Sequence, residues 1–222
     1  MGSLQHDREA YDQEKPQHPV LVSDFYMGKY PVTQFLWKTI MKGENPARFQ
    51  GDEHPVEQLS WNDTQHFICL LNEQTQEDRP AGHWYRLPTE VEWEYAARGG
   101  KYHPEGYKYA GSDRLKDVGW YDENNGDETK PVGLKYPNQL GIHDMSGNVW
   151  EWCADWYDKA YYEQCKKADI FENPAGPDKG VYRVLRGGGW HDYALLCRVA
   201  FRSSGVPGHR GDDMGFRLVL SL

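Results

Sequence analysis

The chain is 222 residues long, carries a formal net charge of −9 and is 38% hydrophobic. That balance excludes a basic surface tracking phosphates, so nucleic acid is not an expected partner, and no apolar run approaches the length of a membrane span. A load of 9 Trp, 15 Tyr and 7 Phe, set among 23 Gly and 13 Pro, points to one loop-rich domain held by aromatic packing.

Residues 1–19 are polar and read as an extended edge. Val20–Tyr30 holds enough β-formers for one or two strands. Thr33 can cap a helix over Gln34–Met41, stopped by Gly43 and Pro46. Ser60 and Asp63 form a second capping pair before a helix over Thr64–Gln74, where Phe67, Leu70 and Leu71 share a face. Trp84–Leu87 reads as a short strand. Thr89 and Glu92 form a third capping box, opening a helix through Tyr95–Arg98 that ends at Gly99-Gly100. Lys101–Gln139 is polar and rich in Gly, Asn and Asp, and reads as ordered loop with brief strands. In Gly141–Tyr157 the even spacing of Trp150, Trp152 and Trp156 suits one buried strand face. No repeat or linker divides the chain, so 1–222 is expected to be one domain.

Arg183–Trp190 reads as a strand entering a glycine turn, and Gly215–Leu220 as a terminal strand. Between them, His191–Asp213 obeys neither a 2.0 nor a 3.6 period. Its residues His191, Asp192, Tyr193, Leu195, Leu196, Phe201, Ser203, Ser204, Gly205, Val206, Gly208, His209, Gly211, Asp212 and Asp213 make no apolar face. Only Ala194, Cys197, Arg198, Ala200, Arg202, Pro207 and Arg210 are spaced as if to hold a backbone in place. A regular frame around an irregular segment is the pattern expected of a display surface. The cysteines, Cys69, Cys153, Cys165 and Cys197, form no CxxC pair. They read as free thiols, with a Cys153–Cys165 disulfide left open and Cys69 expected to be a small core residue.

Several stretches together resemble the formylglycine-generating-enzyme, or sulfatase-modifying-factor, family. They are Met1-Gly-Ser3, Phe25-Tyr-Met-Gly-Lys-Tyr-Pro-Val-Thr33, Pro55-Val-Glu-Gln-Leu-Ser-Trp61 and Arg86-Leu-Pro-Thr-Glu-Val-Glu-Trp-Glu-Tyr-Ala-Ala-Arg98. Gly141-Ile-His-Asp-Met-Ser-Gly-Asn-Val-Trp-Glu-Trp152, Arg183-Val-Leu-Arg-Gly-Gly188 and Gly215-Phe-Arg217 complete the set. The resemblance implies an α+β, C-type-lectin-like fold, loop-rich, with few helices, short antiparallel strands and its first and last strands close together. Function does not follow from that fold. The family's oxidases hold copper between two cysteines five residues apart, a soft thiolate pair suited to Cu(I). Counting from Arg186, this chain offers Asp192 at the first position and Cys197 at the second, so the oxidase activity and its copper are not expected. Nor is iron, because the histidines show no helical pair at ligand spacing.

The chain is most similar to a third branch, the variable proteins of diversity-generating retroelements. There the C-terminal segment, here 186–217, is rewritten at template adenines, mainly in Asn codons. The resemblance implies that substituted positions lack Lys, Glu, Gln, Met and Trp, and none of these occurs from His191 to Asp213. Trp190 and Met214 stand immediately outside. The implied function is non-catalytic binding of varied protein or other macromolecular partners, with Tyr193 and Phe201 as aromatic anchors. Plain core packing is the alternative for Leu195, Leu196 and Phe201. The same resemblance implies a structural Ca²⁺ held by Asp144, Glu151 and the carbonyls of Gly147 and Val149, or else a turn hydrogen-bonded by Asn148 and Glu151. Two other functions stay open: an enzyme using another cofactor, and an accessory domain fused to an upstream signalling or effector module. Without a visible signal peptide the reading is cytoplasmic, with surface display if a leader precedes residue 1.

Overall fold

A computed structural model describes residues 1–167 and 171–222. Its helices are α1 (Gln34–Ile40), α2 (Trp61–Gln74), α3 (Glu90–Ala97), α4 (Leu115–Val118) and α5 (Tyr161–Lys166). Its strands are β1 (Val20–Leu21), β2 (Phe25–Met27), β3 (Tyr85–Arg86), β4 (Trp150–Trp156), β5 (Phe171–Glu172), β6 (Arg183–Arg186), β7 (Ser203–Gly205), β8 (Met214–Gly215) and β9 (Val219–Ser221). The three capping residues named from sequence all act as caps: Thr33 Oγ1 accepts from Leu36 N–H, Ser60 from Asp63 and Thr89 from Glu92. Because Ser60 is itself the cap, α2 begins at Trp61, earlier than the apolar pattern alone suggests.

The strands form sheets in the orders β1-β5, β2-β9-β3 and β7-β6-β4-β8. Two pairs, β1 with β5 and β4 with β8, run parallel, where the sequence suggested antiparallel pairing. The terminal stretch is not one strand. Met214–Gly215 pairs with β4, whereas Val219–Ser221 lies between β2 and β3, so the chain passes from one sheet to another at Phe216-Arg217-Leu218. This brings the C-terminal strand against β2, within the Val20–Tyr30 stretch read as one or two strands. In 101–139 the described structure is a 3-10 turn, the short α4 and an isolated bridge between Tyr109 and Ser112, in place of the expected strands.

Two aromatic clusters hold these short elements together. Trp37 stacks on Phe67 at 5.1 Å, and Phe216 meets both rings edge-on, which ties α1 and α2 to the C-terminal crossing. Trp93, Met145, Cys153 and Val184 centre a second cluster joining α3 to β4 and β6. Trp150 and Trp152 are buried as expected, but Trp156, beyond a register shift, is only half-buried, and Glu151, Cys153 and Asp155 are buried too. Both faces of β4 are interior: Glu151 survives there paired with Arg217, whereas burial raises the Asp155 carboxyl to about 8 while it accepts from Glu90 N–H at 2.8 Å. Residues 1–19 are likewise no free edge. Ser3, Glu14 and His18 are buried, the Met1 amine donates to His18 O at 3.0 Å, and Gly2 N–H donates to Glu94 Oε1 at 2.7 Å. Among the described residues no helix is long and apolar enough to cross a membrane.

Candidate functional site

The segment after β6 is held by arginines that the sequence marked as fixed. Arg186 is wholly buried; it donates to Glu94 at 2.7 Å and to the carbonyls of Val199 and Ala200 at 2.7 and 3.3 Å. Arg198 makes two 2.7 Å bonds to Glu14, and Arg202 grips Glu90 at 2.6 and 2.7 Å. Each guanidinium is desolvated but paired with a carboxylate, the arrangement in which a buried charge is tolerated, although Arg186 Nε is left without a partner. Cys197 is buried with its thiol pushed far up by desolvation, so it is a packing residue and a poor nucleophile. It lies against Gly188, whose φ of +80° and close approach leave no room for a side chain: a Cβ there would stand 2.6 Å from Cys197 Sγ.

Around this frame many of the irregular residues face outward. Tyr193 is 72% exposed and Val206 44% exposed, and His191, Gly208 and His209 are exposed with them. Asp192, Leu195, Leu196, Ser203, Ser204, Gly211, Asp212 and Asp213 are half-buried. Ser203 and Ser204 sit on β7, an edge strand, in register with Leu185 and Val184 of β6. Two residues depart from expectation. Phe201 is 8% exposed and packs between Tyr11 at 5.4 Å and Trp150 at 6.0 Å, so it belongs to the core and cannot anchor a partner. Gly205 is buried, and a Cβ there would lie 2.7 Å from the Trp152 ring, so it is a packing glycine and no contact position. Leu196 packs partly against the same core cluster, while Tyr193 is left exposed.

A second wall of this surface went unnoticed in the sequence. The 45–51 loop carries Arg48, which ion-pairs with Asp212 and lies 4.9 Å over the Phe49 ring. Phe49 in turn meets Trp190 edge-on at 5.2 Å. The loop is built from beneath: Glu57 Oε1 accepts Phe49 N–H at 2.8 Å and Gln34 Nε2 donates to Phe49 O at 2.6 Å. Gln58 N–H donates to Gly211 O at 2.9 Å, tying the next stretch to the irregular segment. No local pattern in 45–51 announces this, because Arg48 and Asp212 meet only through the tertiary fold.

Burial sets the acidity of the carboxyls here. Desolvation raises Asp192 despite the bond it accepts from Gly189 N–H at 2.7 Å, and desolvation likewise raises Asp213, which lies 3.8 Å from His191 Nε2. Glu57 is pushed up to about 7, chiefly by burial, and its Oε2 has no partner.

The calcium set is brought together only in part. Asp144 is buried; its Oδ2 accepts from Gly133 N–H at 2.7 Å, and its Oδ1 has no partner. The Gly147 carbonyl accepts from Val149 N–H at 3.0 Å. Glu151, however, has both oxygens engaged, by Arg217 at 2.7–3.1 Å and by Trp93 Nε1 at 2.7 Å. One carboxylate oxygen of the expected set is therefore without a partner, and the other carboxylate is already neutralised by Arg217. Among the described residues no group of three or more His, Cys, Asp or Glu could hold a metal. Cys69 is exposed rather than in the core, and all four thiols are free, so Cys153 and Cys165 are not bridged.

These features define a lectin-like scaffold with a long, arginine-braced C-terminal segment. The whole chain, residues 1–222, matches the sulfatase-modifying factor enzyme 1-like domain model, and the protein belongs to that family. It is 41% identical over 181 residues to the formylglycine-generating enzyme of Streptomyces coelicolor, covering 74% of this chain and 52% of that one. It is 31% identical over 264 residues to chaperone protein LppX of Paenibacillus barcinonensis, covering 99% of this chain and 87% of that one. Among solved structures, Treponema denticola variable protein 1 superposes with a TM-score of 0.85 at 31% identity, covering 100% of this chain and 92% of that one.

Proposed function

We propose that this protein is a non-catalytic recognition domain whose 186–217 segment is diversified by a retroelement to bind varied macromolecular partners. One observation carries the reading: within a single segment, four of the residues marked as fixed, Cys197, Arg198, Ala200 and Arg202, are buried, while all but two of those marked as substituted, Phe201 and Gly205, reach the surface at least in part. Cys197, Arg198, Ala200 and Arg202 are at most 6% exposed, against 72% for Tyr193 and 44% for Val206. A partner would draw on the exposed Tyr193, His191, Val206 and His209, with Arg48 beside Asp212. The likeness to a variable protein over the full chain supports this assignment.

Oxidase chemistry is set aside because Asp192 occupies the position of the first copper-holding thiol and Cys197 is sealed in the core. Calcium at Asp144 Oδ1, with the Gly147 and Val149 carbonyls, is retained as a structural proposal that assigns no role to the Glu151 carboxylate. The deciding experiment is nucleotide sequencing of the gene's neighbourhood. A near-copy of codons 186–217, differing at template adenines and lying beside a reverse transcriptase, is the expected result. An intact locus without one would end the diversification reading.

A further inference from the structure

Strand β2 stands at the edge of the β2-β9-β3 sheet, with β9 on one side only. On that side Gly28 N–H donates to Leu218 O at 2.8 Å, and on the far side of β9 Ser221 N–H donates to Trp84 O at 3.0 Å. Leu218 and Leu220 therefore turn their main-chain groups towards β2, and Val219 and Ser221 turn theirs towards β3. Tyr26 lies opposite Leu220 and is a bonded position, so Phe25 and Met27 point their N–H and C=O groups away from β9. Among the described residues those outward groups have no partner. They repeat at about 7 Å along the chain, the spacing at which an added strand would meet them.

A cleft of about 380 Å³ runs beside this strand, lined by residues 22–27 on one side and by Tyr95, Ala96, Leu140 and Ile142 on the other. Consecutive residues line it, whereas a sheet face would offer only alternate ones, so the cleft follows the edge. Tyr95 and Leu140 are exposed, and Tyr95 meets Phe25 edge-on at 6.3 Å. Apolar side chains of an entering strand would lie against this wall. Asp24 and Lys101, also in the lining, balance in charge, so main-chain bonding and apolar contact select the occupant. A second copy would bring its own Tyr95–Leu140 wall to the meeting edge, where the two walls compete for one space. A single free strand is the occupant that fits. None of the lining residues lies in 186–217.

We propose that this cleft binds an extended, apolar segment of a partner protein as a fourth strand of the β2-β9-β3 sheet. The site is separate from the diversified segment and stands whether or not 186–217 is rewritten. The probe is the neutral peptide acetyl-Thr-Val-Thr-Val-Thr-Val-Thr-amide, titrated into full chain carrying ¹⁵N-methionine while the amide signals are followed by NMR. The Met27 signal is identified as the one lost in Met27→Leu. It should shift saturably, with a dissociation constant of roughly millimolar order. N-methylating every Val of the peptide, or every Thr, removes the N–H groups along one of its edges. One of these two peptides should lose the shift and the other keep it, because only one edge of an added strand meets β2. Leu140→Asp, at the exposed wall, should weaken binding of the parent peptide at least several-fold, with the fold checked by Tm. An unmoved Met27 signal, equal responses to the two N-methylated peptides, or undiminished binding by folded Leu140→Asp overturns the proposal. A Met27 signal that moves on concentrating the chain alone gives the edge to a second copy and overturns it as well.

Discussion

Arg202 and Glu90 lie 112 residues apart and meet through two bonds of 2.6 and 2.7 Å, both side chains almost fully buried. The same Glu90 Oε1 also receives Arg186 at 3.2 Å and the Tyr162 hydroxyl at 3.3 Å. This one carboxylate therefore joins the start of α3 to both ends of the braced half of the irregular segment. Removing its charge strands the Arg202 guanidinium in the core and leaves Arg186 with Glu94 alone. Glu90→Gln should destabilise the protein by about 3–5 kcal/mol, the cost of leaving a buried charge unpaired. Chemical denaturation followed by tryptophan fluorescence measures this, and a loss below ~1 kcal/mol would mean the network is not load-sharing as described.

Tyr193 and Phe201 should separate cleanly. Tyr193→Ala removes an exposed ring and should shift stability by less than about 0.5 kcal/mol, while weakening any partner captured by the surface. Phe201→Ala empties a site between Tyr11 and Trp150 and should cost about 3–5 kcal/mol. Equal stability losses for the two variants would contradict the inward and outward assignment.

Thiol chemistry gives an independent check on the core. Cys69 is exposed, whereas Cys153, Cys165 and Cys197 are buried. A thiol reagent should modify Cys69 in the native protein and the other three only after denaturation. Native labelling of Cys197 would reopen the oxidase question.

Two carboxyls give stability a defined slope with pH. Burial moves Glu57 from 4.5 to about 7 and Asp155 from 3.8 to about 8. In each case the folded state keeps a proton that the unfolded chain has released. Their stabilising contribution is therefore complete below about pH 4 and declines as pH rises towards 7 and 8. Glu57→Gln retains the acceptor for Phe49 N–H and abolishes the titration, so it should raise Tm at pH 8 relative to the parent chain and change it little at pH 4.5. A uniform drop at both values would show that Glu57 acts as an anion.

Calcium has a direct readout. An ion held only by the folded state raises Tm as its concentration rises. Millimolar Ca²⁺ added to chelator-treated protein should therefore raise Tm, and Asp144→Asn should lose most of that rise. An unchanged Tm in the parent chain removes calcium from the account.

The sequence determined what depends on local order. Ser60, Thr89 and Thr33 mark helix starts because a cap bonds within three residues of itself, and the run of motifs from Met1 to Arg217 specifies the scaffold. It also separated Arg198 and Arg202 from Tyr193 and Val206, because frame residues recur as small or basic types between chemically scattered ones. Tertiary structure alone decided the rest. Phe201 and Tyr193 are both aromatics in a segment without periodicity, and only the rings of Tyr11 and Trp150 settle which one turns inward. Arg48 meets Asp212 across 164 residues, and Glu151 gives its oxygens to Arg217 across 66. No local pattern encodes such pairings, because a short irregular element has no face of its own until its neighbours pack against it.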